Sequence, residues 1–311
     1  MFKQVSIPGK GLGLVATSEL PVGTTIIEES PLITVERDGD GFSTLEFVNK
    51  FRHLTGDQKI QVLSLHDPGP NSVQGQKIPS ALLQYVDDTE KKALRIFAGN
   101  SIALCGHPEM NVNKSGLYKT ISRINHSCAP NVVWSWIQRD ESKSVKQVRV
   151  CRKVKEGEEI LASYIMEFDK FPSKAERQIA LRDWNFICRC DVCSLTGHKL
   201  VKSEYARTKI TYLNIAQQSR VDSGLLKLAL QDAMEKQKIM KSIKREMILH
   251  IPDVMVDCCE LAVHCKLQDS NVAELMKKAK NMSELYGDLF IYNYHNREKK
   301  IERIQHYWAA V

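Results

Sequence analysis

Three thiols fall within six residues in Cys188-Arg189-Cys190-Asp191-Val192-Cys193. Cysteine is scarce elsewhere, with nine in 311 residues and none before Cys105. Thiolates this close together can wrap a tetrahedral Zn²⁺ at Zn–S distances of about 2.3 Å. A structural site takes four ligands, so one must come from another part of the chain. Spacing leaves Cys128, Cys151, His198 and Cys105 as candidates. Cys258, Cys259 and Cys265 fall on an apolar helical face and read as core thiols. Other residues with chemistry to offer are Asn125-His126-Ser127-Cys128 and Tyr164, although His126 alone reads as a structural histidine and Tyr164 alone as a strand tyrosine. The glycine-dense turn Gly9-Lys10-Gly11-Leu12-Gly13 could cradle the phosphates of a dinucleotide only between a strand and a helix. The residues after it are β-prone and run into Pro21, so a dinucleotide-dependent oxidoreductase is discarded.

Bulk composition bounds the rest. The chain is 43% apolar and 26% charged, ordinary for a globular protein with a core. Its net charge of +7 is a weak pull toward acidic partners, and no block of like charges marks a nucleic-acid tail. Direct nucleic-acid binding is therefore expected to be weak or absent. Met1-Phe2-Lys3-Gln4 lacks the apolar run of a signal peptide. No apolar stretch approaches the roughly 20 residues of a membrane span, so no membrane partner is expected. An odd, unevenly placed set of cysteines argues against a secreted disulfide framework. The expected setting is intracellular, nuclear or cytoplasmic.

The elements that must position these residues follow from periodicity. Residues 1–37 read as short strands and turns. Helical spacing runs over 43–66 through Leu45, Val48, Phe51, Leu54, Ile60 and Leu63, and over 80–98 through Leu82, Leu83, Val86, Leu94 and Phe97. An irregular connector separates them at 67–80. Residues 100–165 return to strands, with Val132, Trp134 and Trp136 alternating as core positions and Val148 and Val150 alternating as well. From about 200 the chain is helical. Leu226, Leu230, Ala233, Met240, Ile243 and Met247 fit one helix face; Pro252 interrupts; Val254, Cys258, Leu261 and Ala262 fit the next. Asp269 or Ser270 would cap a third helix, ending near Gly287. Lys236, Lys238, Lys241, Lys244 and Arg245 read as a solvated face. No reliable period establishes a repeat array such as stacked helical hairpins.

Four segments in one order resemble a single family. Gly9-Lys10-Gly11-Leu12-Gly13-Leu14 resembles the glycine-rich opening of SET domains. Gly116-Leu117-Tyr118 followed by Asn125-His126-Ser127-Cys128 resembles their most specific signature. Gly157-Glu158-Glu159-Ile160-Leu161-Ala162-Ser163-Tyr164 resembles the segment ending in the catalytic tyrosine, and the Cys188/Cys190/Cys193 run resembles the post-SET zinc loop. The pattern covers about residues 5–195 and is similar to the SMYD-type branch of protein-lysine methyltransferases and its fungal relatives. The resemblance implies transfer of a methyl group from S-adenosyl-L-methionine to a lysine of a protein, a histone tail among the candidates. It implies that Lys10, Gly11, Leu12, Asn100, Asn125, His126, Tyr164 and Phe186 bind the cofactor, with Tyr164 the catalytic residue. It also implies that Cys128 joins Cys188, Cys190 and Cys193 on one structural zinc.

The pattern also departs from the family. No cysteine lies between residues 38 and 104, so the MYND finger of SMYD proteins is missing. Trp184 stands where relatives often carry a second pocket tyrosine, and Ile102 where an aromatic commonly lines the lysine channel. Both leave the number of methyls open. They also keep alive an inactive scaffold acting as a zinc-stabilised protein-binding module, against which Asn125, His126 and Tyr164 argue.

The expected fold is α+β. A SET β-core (β-clip) would be formed by residues 1–41 and 98–165, split by a helical insert at 42–97. A zinc-binding post-SET loop at 166–198 and an all-helical C-terminal domain at 199–311 would follow, in a monomer.

Overall fold

A computed structural model describes residues 1–37, 41–104, 113–138, 144–165 and 171–265, with single positions 274, 277 and 281. Cys105 and the expected third C-terminal helix after Asp269 lie outside these, apart from those single positions. The architecture is α+β, as expected, with small sheets followed by helices. The chain divides into two units. The first is Met1–His126, Asn131–Ala162 and Gln178–Cys188; the second is Ser127–Pro130, Ser163–Arg177 and Arg189–Val311.

Among the described residues the first unit holds ten strands: β1 (Phe2–Ile7), β2 (Gly11–Ala16), β3 (Thr25–Glu29), β4 (Ile33–Glu36), β5 (Ile102–Ala103), β6 (Lys114–Leu117), β7 (Asn125–His126), β8 (Val132–Gln138), β9 (Ser144–Val150) and β10 (Glu159–Ala162). They form three small sheets in the orders β1-β2-β10-β7, β3-β9-β8 and β4-β6-β5. Trp134 is buried on β8, as its alternation predicts. Between β4 and β5 run α1 (Thr44–Arg52), α2 (Gly56–Leu63), α3 (Val73–Gln76), α4 (Ser80–Leu83) and α5 (Asp88–Asn100).

The start of α5 is written in its sequence. Asp87 accepts from the Glu90 N–H at 2.8 Å while the Glu90 carboxylate accepts from the Asp87 N–H at 3.0 Å, a reciprocal cap. Glu90 also takes Arg52 Nε at 2.6 Å, tying α5 to α1. Phe47 and Phe97 pack at a centroid distance of 4.8 Å in the core these helices share with Ile33, Val35 and Leu117. The connector expected at 67–80 contains the short α3, capped by Ser72.

After α6 (Lys174–Ala180) the second unit continues as α7 (Gly197–Asp222), α8 (Leu226–Ser242), α9 (Lys244–Met247) and α10 (Ile251–His264). Ala206, Ile210, Ala233, Met240, Met247 and Val254 contribute to one core there. The face expected to run unbroken from Leu226 to Met247 is split at Ile243, whose backbone (φ −123°, ψ 40°) leaves the helical region. Pro252 opens α10, in the first turn where a missing N–H costs least.

One charged residue is misassigned by the helical-face reading. Lys236 is only 2% exposed, not solvated. Its Nζ donates to Asn214 Oδ1 at 3.0 Å and Gln217 Oε1 at 2.7 Å, with Asp257 at 3.9 Å. Position 236 lies three after Ala233 and four before Met240, on the buried stripe, and α7 supplies the acceptors that let a cation sit there.

Candidate active site and cysteine cluster

The β1–β2 hairpin turns on Gly9 and Gly11, both left-handed at φ +73° and +74°, which other residues adopt only at a cost. The turn leaves Lys10, Gly11 and Leu12 exposed. Gly13 has a different reason to be glycine. A Cβ there would come within 2.7 Å of Ile7 Cγ1 and 2.8 Å of Asn125 Nδ2. Its absence lets the Asn125 amide donate to the Leu12 carbonyl at 3.3 Å and to Glu159 Oε1 at 2.9 Å. The second Glu159 oxygen takes Lys10 Nζ at 2.6 Å. Lys10, Leu12, Asn125 and Glu159 are therefore one connected group.

The backbone that carries Asn125 pairs two segments distant in sequence. β7 pairs in parallel with β10, Asn125 opposite Leu161 and His126 opposite Ala162, while β10 also pairs antiparallel with β2. Asn131, wholly buried, ties the chain just after β7 to β10. Its side chain accepts from the Leu161 N–H at 2.8 Å and donates to the Glu159 carbonyl at 2.8 Å, and its own N–H donates to the Leu161 carbonyl at 3.0 Å. Just before β7, Glu29 accepts from the N–H groups of Thr120 and Ile121, each at 2.9 Å, and so holds the 3-10 turn Ile121–Arg123. His126 is buried, and its ring lies 6.0 Å from that of Phe186, tilted by 44°. Phe186 keeps 37% of its surface exposed, so its ring also faces outward.

Other expected site residues are placed as follows. Asn100 ends α5, and its amide is committed to the carbonyls of His66 at 2.8 Å and Ile96 at 2.7 Å. Ile102 is half-buried on β5 opposite Gly116. Trp184 is half-buried in the 3-10 turn Arg182–Trp184, followed by Asn185 in the left-handed region at φ 57°. Tyr164 belongs to the second unit and stands two residues beyond the end of β10. It is half-buried in a turn where Ser163 Oγ donates to the Ile165 carbonyl at 3.1 Å. Sequence reasoning missed Glu29, Asn131 and the role of Glu159. Asn131 sits only three residues past Cys128, and Glu159 lies inside a quoted motif, so position was the available signal.

The four cysteine sulfurs of Cys128, Cys188, Cys190 and Cys193 all lie within 4.8 Å of one another. Cys128 and Cys193 approach to 3.5 Å, too long for a disulfide of about 2.05 Å. A tetrahedron with Zn–S of about 2.3 Å has S···S edges of about 3.8 Å, which fits this spacing. Gln178 sets the start of the cysteine run, its amide donating to the Cys188 carbonyl at 2.9 Å and accepting from the Cys188 N–H at 3.0 Å. Of the other fourth-ligand candidates, Cys151 is wholly buried with its thiol pushed up to about 12 by burial, and His198 is exposed; neither is in the cluster. Burial likewise pushes the Cys258 and Cys259 thiols up to about 12, as core positions. Among the described residues no helix is long and apolar enough to cross a membrane.

The sequence profile of the SET domain matches residues 11–165. The chain is 31% identical over 214 residues to the protein named histone-lysine N-methyltransferase set5 of Schizosaccharomyces pombe; the match covers 68% of this chain and 56% of that protein. It is 25% identical over 162 residues to N-lysine methyltransferase SMYD2 of Bos taurus, covering 51% of this chain and 33% of that one. A putative SET domain-containing protein, L678 of Acanthamoeba polyphaga mimivirus, is 22% identical over 218 residues, 62% of this chain and 77% of that protein. The chain thus spans between a third and about half the length of the first two relatives.

Proposed function

Residues 11–165 are a SET domain, and on that footing we propose that the chain transfers a methyl group from S-adenosylmethionine to the amine of a lysine in a protein substrate. The observation that carries this is the parallel pairing of β7 with β10, which holds Asn125 against the Leu12 carbonyl of the glycine turn and His126 beside the outward-facing Phe186 ring. The names of the two curated relatives, both lysine methyltransferases, support it.

S-adenosylmethionine, when bound, supplies a methyl group on a sulfonium. The residues present fit such a molecule. Gly9 and Gly11 leave open space where side chains would stand, so backbone can approach the ligand closely. Asn125 is tied to the same turn through the Leu12 carbonyl, and Phe186, next to His126, offers an aromatic face for a base. Tyr164 orients the incoming lysine amine through its hydroxyl. Half-buried Ile102 and Trp184 exclude water from the amine's channel. The neutral amine costs roughly 4–5 kcal/mol at neutral pH from a pKa near 10.4. A dry channel beside a sulfonium cation lowers that cost through desolvation and like-charge repulsion, so no strong general base is required.

The cysteine cluster holds one structural Zn²⁺ in this reading. Four thiolates leave no open coordination position, so its work is to fix the loop that carries Phe186, two residues before Cys188. A reduced thiolate site suits an intracellular, nuclear or cytoplasmic protein. The substrate is a lysine-bearing protein, with histones favoured by the first relative's name.

The test is calorimetric binding of S-adenosylmethionine together with mass spectrometry of lysine peptides from an array. Tyr164→Phe is expected to lower turnover by roughly 10²-fold through misorientation of the amine, with cofactor affinity kept. Wild-type turnover in that variant removes Tyr164 from its role. Failure of the wild-type chain to bind S-adenosylmethionine at millimolar concentration overturns the reading in favour of an inactive scaffold.

A further inference from the structure

Two guanidiniums are buried in the second unit, Arg177 at 2% exposure and Arg207 at 5%. Both donate to the same carbonyl, that of Pro172, at 2.8 Å and 3.3 Å. With Cys128, Phe171, Glu246 and His250 they line a cavity of about 50 Å³. Two like charges in so small a space are costly unless anions answer them.

Arg207 has such an anion. Its Nη2 donates to Glu246 at 2.8 Å, and Ser203 Oγ donates to the same carboxylate oxygen at 2.6 Å. Arg177 is differently served. The carboxylate of Glu204 stands off at 3.9 Å and is 30% exposed, and its oxygens already accept from the Lys174 N–H at 3.1 Å. The Nη2 of Arg177 instead points at Cys193 Sγ, 3.9 Å away, and its Nε has no hydrogen-bond partner. A neutral thiol there would leave the guanidinium poorly answered. Four thiolates on a divalent cation carry two net negative charges, and that is the anion this position suits.

We infer that Arg177, braced by the Arg207–Glu246 pair, is the buried counter-charge of the metal–thiolate centre and sets how firmly that centre holds its ion. The inference rests on the zinc reading above. Arg177 is a positioning residue for the ion and touches neither substrate nor cofactor in this role.

The experiment measures zinc content of the full chain, then the rate of zinc transfer to a chromogenic chelator. Arg177→Met is expected to speed transfer roughly 10- to 100-fold, the range for partners that hold metal ligands. Arg177→Lys keeps the charge and is expected to stay within about threefold of wild type. Glu204→Gln removes a competing carboxylate and is expected to slow transfer or leave it unchanged. Arg95→Gln, which breaks a paired arginine of the first unit (2.7 Å to Asp67), is the control for general destabilisation and is expected to leave transfer unchanged.

A folded Arg177→Met chain that keeps zinc as wild type does overturns the inference. So does a folded Arg177→Lys chain that loses zinc tenfold faster, or a Glu204→Gln chain that does. If Arg177→Met does not fold by circular dichroism, the lysine and glutamine variants decide alone. A wild-type chain purified without zinc overturns the zinc reading itself, which separates the two failures.

Discussion

Gly13 and Asn125 show how a site is set by what a residue lacks as well as by what it carries. The amide of Asn125 reaches both the Leu12 carbonyl and Glu159 because no Cβ stands at position 13. Gly13→Ala places a methyl 2.7 Å from Ile7 Cγ1 and 2.8 Å from Asn125 Nδ2, so one neighbour must move. Overpacking of this kind costs ~1–3 kcal/mol. The expected outcome is a lower urea midpoint together with weaker S-adenosylmethionine binding by calorimetry; unchanged binding in a destabilised chain would show that Asn125 does not border the ligand. At this scale the sequence was legible where residue types are rare. Three cysteines in six residues could be named in advance because few side chains do what a thiolate does, whereas spacing left four candidates for their partner and only the resemblance pointed to Cys128. Glu159 and Glu29 could not, since a carboxylate among 37 acidic residues carries no mark of what it accepts.

At the scale of elements, the helices between β4 and β5 were legible through their apolar stripes, which are local, although the runs expected at 43–66 and 80–98 each divide into two helices. Phe97 falls on the apolar stripe of α5, while its reciprocal cap of Asp87 and Glu90 was missed although it lies within four residues. The pairing of β7 with β10 was not legible from pattern, since a two-residue strand has no period to read and its partner lies 36 residues away. Lys236 fails for the related reason that its acceptors come from α7. Asn131 ties β10 to the segment that follows β7, and its loss is the element-scale test. Asn131→Ala strips partners from the Leu161 N–H and the Glu159 carbonyl, both beside a wholly buried position. Leaving such groups unmet costs about 2–4 kcal/mol in all. Faster hydrogen exchange at the Leu161 amide, beyond the change at β8 and β9 amides, is the expected signature. Uniform acceleration everywhere would mean that Asn131 merely packs.

At the scale of the molecule, stability must answer to pH through groups that the fold holds away from their ordinary protonation. His250 is one. Burial, and then the charge of Arg207, pull its imidazole down from 6.5 to about 4. Its ring packs edge-on against Phe171 at a centroid distance of 5.1 Å. Between about pH 6.5 and about pH 4 the unfolded chain therefore binds a proton at this residue that the folded chain does not. Stability rises with pH wherever the unfolded state binds more protons. His250 thus contributes fully above about 6.5, and its contribution falls away as the pH drops toward 4. Acid also protonates thiolates, so a loss of stability in the wild-type chain alone does not isolate the histidine. The difference between wild type and His250→Gln does, because the cysteines are common to both. The urea midpoint of wild type is expected to fall more steeply than that of the variant across this window, and the two curves are expected to run parallel above pH 7. Parallel curves throughout would place the His250 proton equilibrium at its ordinary value and remove the Arg207 cation from its surroundings.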